Sequence, residues 1–219
     1  MKLHILDDSL WFPPVVQALK DGLLAVGGDL SRERLLLAYN NGIFPWFNEG
    51  EIPLWWSPDP RFVLFPSDLM VSKSMKTLIN KGKFEFRTNT AFEEVIHNCR
   101  SITRDGQDGT WITQEIATAY IDLHNAGYAH SAEAWQDGKL VGGIYGIKLG
   151  RIFFGESMFS KVSNASKFAF ILWVKQLIME DILLIDCQVH TKHLESLGAG
   201  MISRSAFLNH LKTGIPNNI

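Results

Sequence analysis

The chain has 219 residues, 46% of them hydrophobic, 11% aromatic and 20% charged, with a formal net charge of −2. That length suits one large domain, or one domain with a smaller appendage, and the composition excludes long disorder. No apolar run reaches the roughly 18–20 residues that a bilayer span needs, the start MKLHILDDSL is too acidic for a secretory signal, and Cys99 and Cys187 build no disulfide framework. The expected setting is the cytoplasm.

In chain order, Ser31 opens a predicted helix to Asn41, with Leu35, Leu36 and Tyr39 at helical spacing and Gly42 as its stop. The pair Pro58 and Pro60 places a boundary near residue 60, between a small N-terminal domain (1–60) and a second domain (61–219). Phe84 to Thr88 alternates as a strand, Phe92 to Cys99 reads as a helix, and Thr110 to Asn125 as a longer amphipathic helix. Asp137-Gly138 and Leu149-Gly150 then separate three strands, His130–Gln136, Lys139–Lys148 and Arg151–Phe159, an antiparallel meander. A helix from Ser163 or Asn164 to about Glu180 follows. A buried strand from Ile182 to Val189, a short helix from Thr191 to Leu197 and a last helix from Ser203 to Lys212 complete the chain. The order is α+β around a mostly antiparallel sheet, not a doubly wound one. It is similar to the element order of the acetyl-CoA N-acetyltransferase (GNAT-type) superfamily, in which a Gly-rich turn before a helix cradles pyrophosphate. Here the corresponding turn, Phe159 to Ser166, has no glycine.

Two carboxylates stand out. Strand periodicity puts Asp186 and Gln188 on one face and Cys187 on the other. An ionisable group inside an apolar strand is costly without a partner, so Asp186 is expected at the strand's end, facing a cavity. In a regular strand Glu156 shares a face with Phe154 and Met158, with Phe153 opposite; Gly155 would mark a bulge that breaks this parity. Paired carboxylates can bind a cation, bind a primary amine or trade a proton. His190 and His193 lack a third ligand at metal spacing, and no phosphate loop or nucleophile elbow is present. No metal is expected.

Charge is uneven along the chain. Residues 1–60 carry 4 Lys/Arg against 8 Asp/Glu, residues 61–87 carry 6 against 2, and the rest 11 against 13. A local excess of Lys and Arg is either a solvated face or a phosphate-contact face.

The blocks Gly42-Ile43-Phe44-Pro45-Trp46, Trp55-Trp56-Ser57-Pro58-Asp59-Pro60-Arg61, Gly109-Thr110-Trp111-Ile112, Gly155-Glu156-Ser157-Met158-Phe159-Ser160, Asn164-Ala165-Ser166-Lys167 and Ile185-Asp186-Cys187-Gln188 carry a resemblance that spans almost the whole chain. They resemble the leucyl/phenylalanyl-tRNA–protein transferases. The resemblance implies transfer of Leu, Phe or Met from a charged tRNA to the α-amine of a protein beginning with Arg or Lys, which marks that protein for degradation. It implies no cofactor, a monomer, and a small N-terminal domain before an acyltransferase-like domain. It gives Asp186 and Gln188 central catalytic roles, Asp186 as base or as positioning group, and sets Glu156 in the same site, holding the cationic acceptor. The side-chain pocket for the aminoacyl group would comprise Trp46, Trp111, Ile144, Phe153, Met158, Trp173 and Ile185, with an aromatic stacking on the terminal adenine. With an RNA donor implied, Arg61, Lys73, Lys76, Lys81 and Lys83 become the expected tRNA contacts. The competing expectations are a CoA-dependent N-acyltransferase of the same superfamily and a non-enzymatic RNA-binding module.

Overall fold

The computed structural model of the chain describes residues 3–101 and 112–216. Its first part holds β1 (His4–Leu6), β2 (Leu23–Gly27), α1 (Arg32–Asn40), β3 (Phe44–Pro45) and β4 (Leu54–Trp56). The next part holds β5 (Arg61–Leu64), α2 (Lys73–Asn80), β6 (Glu85–Thr88), α3 (Phe92–Ser101) and α4 (Gln114–Asn125). The meander β7 (Ala129–Gln136), β8 (Lys139–Leu149) and β9 (Ile152–Ser160) comes next, then α5 (Ala165–Met179), β10 (Leu184–Gln188), α6 (Lys192–Glu195), β11 (Gly200–Ile202) and α7 (Arg204–Gly214).

Local chemistry explains most of the starts. Ser31, Ser72, Thr113 and Ser203 each accept a hydrogen bond from the amide three residues on, which begins α1, α2, α4 and α7. Thr113 is therefore the reason α4 starts at Gln114 and not at Thr110; residues 110 and 111 lie outside the described residues. The short strands β1 to β4 fall in a stretch whose sequence shows no alternation, because none is longer than five residues.

The strands form two sheets. One has four strands in the order β1-β2-β4-β3; the other has seven, in the order β11-β5-β10-β9-β8-β7-β6. All neighbours in the larger sheet are antiparallel except β9 and β10. The fold is thus α+β with a mostly antiparallel sheet. Residues up to Trp56 supply the smaller sheet and those from Arg61 the larger, yet one hydrophobic cluster joins them: Tyr39, Ile43 and Trp55 pack with Val95, Tyr120, Phe154 and Phe207. Burial of each such side chain contributes about 1.5–3 kcal/mol, so the first sixty residues are held on the larger sheet by its own core.

A second cluster covers the opposite face, where α5 buries Phe168, Phe170, Ile171, Trp173 and Leu177 against Ile144, Phe153 and Ile185, with Met75 of α2 beside them. An almost uniformly apolar helix is a buried one. Its start sits against β8 because Gly142 has no side chain: a Cβ there would lie 2.6 Å from that of Ala165.

Candidate active site

Strands β9 and β10 pair only over Ile152–Phe154 and Leu184–Asp186. Past that point each is bulged against its other neighbour. On β9, Tyr145 opposes Ser157 and Gly146 opposes Gly155, so Glu156 has no partner across the ladder. On β10, Asp186 opposes Val63 and Gln188 opposes Phe62, which leaves Cys187 without one. An extra residue bends its strand and re-aims the side chains beyond it. The two strands separate, and a cavity of about 400 Å³ opens between them, within the size range of small-molecule sites. The β9 bulge also reverses side-chain parity: Phe154 belongs to the cluster around Tyr39, whereas Met158 joins Phe153 in the cluster around α5. The regular-strand expectation that Phe154, Glu156 and Met158 share a face is corrected by that bulge, which Gly155 signals.

Asp186 does not line this cavity. It is wholly buried, and Arg61, equally buried, grips it with Nε to Oδ1 at 2.8 Å and Nη2 to Oδ2 at 2.7 Å. The guanidinium lies between the rings of Phe44 and Phe207, 4.7 Å from each centroid, a weakly hydrated planar cation suited to that slot. Arg61 is thereby removed from the set of tRNA contacts: its charge is spent on Asp186, and none of its surface is available to a phosphate. Asp186 Oδ1 also accepts the backbone N–H of Gln188 at 2.9 Å. This fixes Gln188 at φ 62°, a backbone region that a residue with a side chain enters only when its surroundings hold it there.

Gln188 in turn reaches across the gap, its Nε2 donating to Glu156 Oε1 at 3.0 Å. The same oxygen accepts from Tyr39 Oη of α1 at 2.8 Å, and Oε2 accepts from Tyr120 Oη of α4 at 3.1 Å. The two tyrosine hydroxyls also touch each other. Glu156 therefore lies on the cavity wall among neutral donors, with no cation paired to it among the described residues. Burial pushes its carboxyl up to about 7, against the opposing pull of Tyr39, Tyr120 and Gln188. Burial likewise raises the Cys187 thiol and lowers the His193 imidazole, both on the cavity wall, the latter helped by Lys167.

The remaining walls are mostly apolar, with Ser157, Ser166 and Thr191 among them. Trp46, Ile144, Met158 and Ile185 line the cavity, together with Phe44, Phe170 and Leu194, which the sequence reading did not single out. Trp46 is anchored by Trp56, whose Nε1 donates to its carbonyl at 2.7 Å. Phe153 and Trp173 sit behind the wall, edge to face at 5.5 Å and fully buried, and do not reach the cavity. Trp111 lies outside the described residues. Lys73, Lys76, Lys81 and Lys83 are exposed on α2 and the turn after it, while Arg87 is bound bidentately by Glu85. Among the described residues no group of three His, Cys, Asp or Glu side chains is placed to hold a metal, and no helix is long and apolar enough to cross a membrane.

Tyr39, Tyr120 and Arg61 are the contributors that sequence reasoning placed elsewhere. Tyr39 reads as a member of an apolar helix face, and the signal available for both tyrosines is that a buried phenol needs a hydrogen-bond partner.

Comparison with known proteins identifies the family. The family model for leucyl/phenylalanyl-tRNA protein transferase matches residues 63–212, and the model for the N-terminal domain of those enzymes matches residues 28–59. The leucyl/phenylalanyl-tRNA–protein transferase of Flavobacterium johnsoniae is 56% identical over 211 residues, covering 96% of this chain and all of that protein. Those of Christiangramia forsetii and Chromobacterium violaceum are 57% and 54% identical, over 95% and 93% of this chain and 100% and 88% of theirs. Among solved structures, a conserved protein of unknown function from Bacteroides thetaiotaomicron aligns with a TM-score of 0.46 at 15% identity, covering 78% of this chain and 62% of that one. A GCN5-related N-acetyltransferase from Kribbella flavida aligns with a TM-score of 0.39 at 9% identity, covering 80% and 62%. With both family models matched in order and identity above half across nearly its whole length, the chain belongs to the leucyl/phenylalanyl-tRNA–protein transferase family and is an aminoacyltransferase.

Proposed function

We propose that the enzyme moves Leu, Phe or Met from aminoacyl-tRNA to the α-amine of proteins that begin with Arg or Lys, acting as a cytoplasmic monomer whose product is a degradation signal. The observation that carries this reading is a mostly apolar cavity whose wall presents one buried carboxyl, Glu156, with no cation paired to it among the described residues. The apolar walls suit the donor's side chain. A hydrophobic pocket separates side chains by only about 1–3 kcal/mol per methylene, which is consistent with acceptance of three unlike donors. The unpaired carboxyl suits the cationic acceptor residue.

In the reaction the neutral α-amine attacks the ester carbonyl, the bond from that carbon to the ribose oxygen breaks, and one amine proton ends on that oxygen. An α-amine with a pKa of about 7.7–8.0 is partly neutral at physiological pH, so positioning carries much of the task. Gln188 donates its amide nitrogen to Glu156, and its carbonyl oxygen is the group suited to accept an amine N–H. Asp186, sealed behind it by Arg61, serves as a positioning residue that fixes the Gln188 backbone.

Transfer of radiolabel from Leu-tRNA or Phe-tRNA to a protein beginning with Arg tests the reading. Label should enter that protein and not its counterpart beginning with Ser, and Gln188→Ala should slow transfer by roughly 10²-fold or more. Equal labelling of the Arg and Ser proteins would remove the acceptor assignment.

A further inference from the structure

The block Asn164-Ala165-Ser166-Lys167 has no role in the scheme above. It opens α5, and Ser166 lines the cavity together with Thr191, His193 and Leu194 around the start of α6. Lys167, half-buried on the first turn of α5, makes no ion pair and no hydrogen bond among the described residues. Its surroundings make that cation costly. The first turn of a helix favours acids over cations, and α5 has no acid there. The carboxylate of α6, Glu195, is turned to His190 Nε2, 3.2 Å away. His193, also half-buried, has no hydrogen-bond partner at its Nε2 among the described residues. Burial, and after it Lys167, lower that imidazole, and a neutral imidazole still has one N–H for an anion's oxygen. The backbone amides of the helix start are already spent: Ala165 N–H donates to the Val162 carbonyl at 3.0 Å and Ser166 N–H to Ser160 Oγ at 3.3 Å. Side chains are what this side of the cavity offers a ligand.

The site is thereby polarised. Glu156 is held from α1 and α4, whereas the unpaired cation stands on α5 beside the wall that Ser166 and His193 supply. The same turn is joined to the exposed lysines further up the chain. Phe168, next to Lys167, packs on the ring of Phe84 at 5.4 Å, and Lys83 Nζ lies 5.0 Å from that ring. An aminoacyl-tRNA carries its amino acid as an ester on the ribose of its last nucleotide, so the phosphodiester on that nucleotide is the anion nearest the reacting carbonyl. We propose that Lys167, with His193, grips this phosphodiester while the aminoacyl group enters the apolar part of the cavity. The proposal rests on the aminoacyl-tRNA donor of the reading above and adds the group that holds its last phosphate. Lys167 is a binding residue in this scheme and touches no reacting atom, so its effect falls on KM and not on kcat.

Two synthetic donors test it, each supplying Phe to an Arg-initiated peptide with the full chain as enzyme. One is the Phe ester of cytidylyl-adenosine with its natural phosphodiester; the other is the same ester with an uncharged methylphosphonate in that position. The wild type should show a KM about tenfold lower for the charged donor. Lys167→Met keeps the aliphatic stem and removes the cation, so it should raise KM for the charged donor about tenfold with little change in kcat, making the two donors alike. Lys167→Arg should keep most of the preference, and His193→Ala should shrink it by a smaller factor; Lys167→Gln serves if the Met variant fails to fold. Equal KM values for the two donors in the wild type would overturn the phosphate contact and leave the donor reading standing. So would a rise by the same factor for both donors in Lys167→Met, which would make Lys167 a support of the cavity wall. Transfer from neither donor would overturn the donor reading and the contact together.

Discussion

Two buried carboxylates, 30 positions apart in the chain and connected through Gln188, have opposite surroundings. Asp186 is compensated: a guanidinium grips both of its oxygens, and neither atom faces the cavity. Glu156 is solvated by neutral donors, two phenols and one amide, and lies on the cavity wall. A carboxylate that already has its cation organises structure, whereas one held only by hydroxyls and an amide is left without a counter-charge. The β10 bulge serves the first purpose by turning Gln188 back over Asp186. The β9 bulge serves the second by presenting Glu156 to the gap.

The largest effect should come from breaking the compensated pair on one side. Arg61→Met leaves Asp186 buried without its cation and should cost about 3–5 kcal/mol in urea unfolding, while Arg61→Met with Asp186→Asn together should cost clearly less than the sum of the two single changes. A loss under about 1 kcal/mol for Arg61→Met would mean that the pair is not an internal support of the fold. Glu156→Gln, by contrast, keeps the shape and most of the hydrogen bonds.

The pH response of stability sharpens the contrast. The folded-state value of Glu156, about 7, lies above its ordinary 4.5. A raised carboxyl contributes its full stability below the ordinary value and loses it as pH rises through the folded one. Between about pH 4.5 and 7 the wild type should therefore lose a few kcal/mol that Glu156→Gln does not lose. Parallel stability curves for the two proteins across that window would show that Glu156 is not the strained carboxyl.

The sequence carried the architecture from residue 84 onward because its elements are long and periodic: α5, the meander and the strand around Asp186 all lie within a few residues of their predicted limits. It also led to Glu156, Asp186 and Gln188, since polar side chains inside apolar strands are conspicuous. It did not carry the bulges, which invert which side of a strand a residue serves; Gly155 hinted at one, and nothing flagged the one at Cys187. Nor could it separate Arg61 from the lysines beyond it. Charge counting sees only composition, and whether a cation is free or spent depends on a partner 125 positions away.

That distinction gives the smallest effect, on tRNA binding. Lys73, Lys76, Lys81 and Lys83 are exposed on α2 and the turn after it, and α2 packs through Met75 on the same cluster that backs the cavity. Each lysine that meets a phosphate releases a counterion, so Lys76→Ala or Lys81→Ala should flatten the dependence of log affinity on log salt by roughly 0.7–0.9, weakening tRNA binding only a few-fold at moderate salt. Lys83→Glu should weaken it further, since it adds repulsion to a lost contact. Lys148 is the matched control, because Glu180 already holds its ammonium at 2.8 Å; Lys148→Ala should leave the slope unchanged. If filter-binding titrations gave the same slope for all four proteins and wild type, the exposed lysines of this segment would be a solvated face, and the tRNA would have to be held elsewhere on the surface.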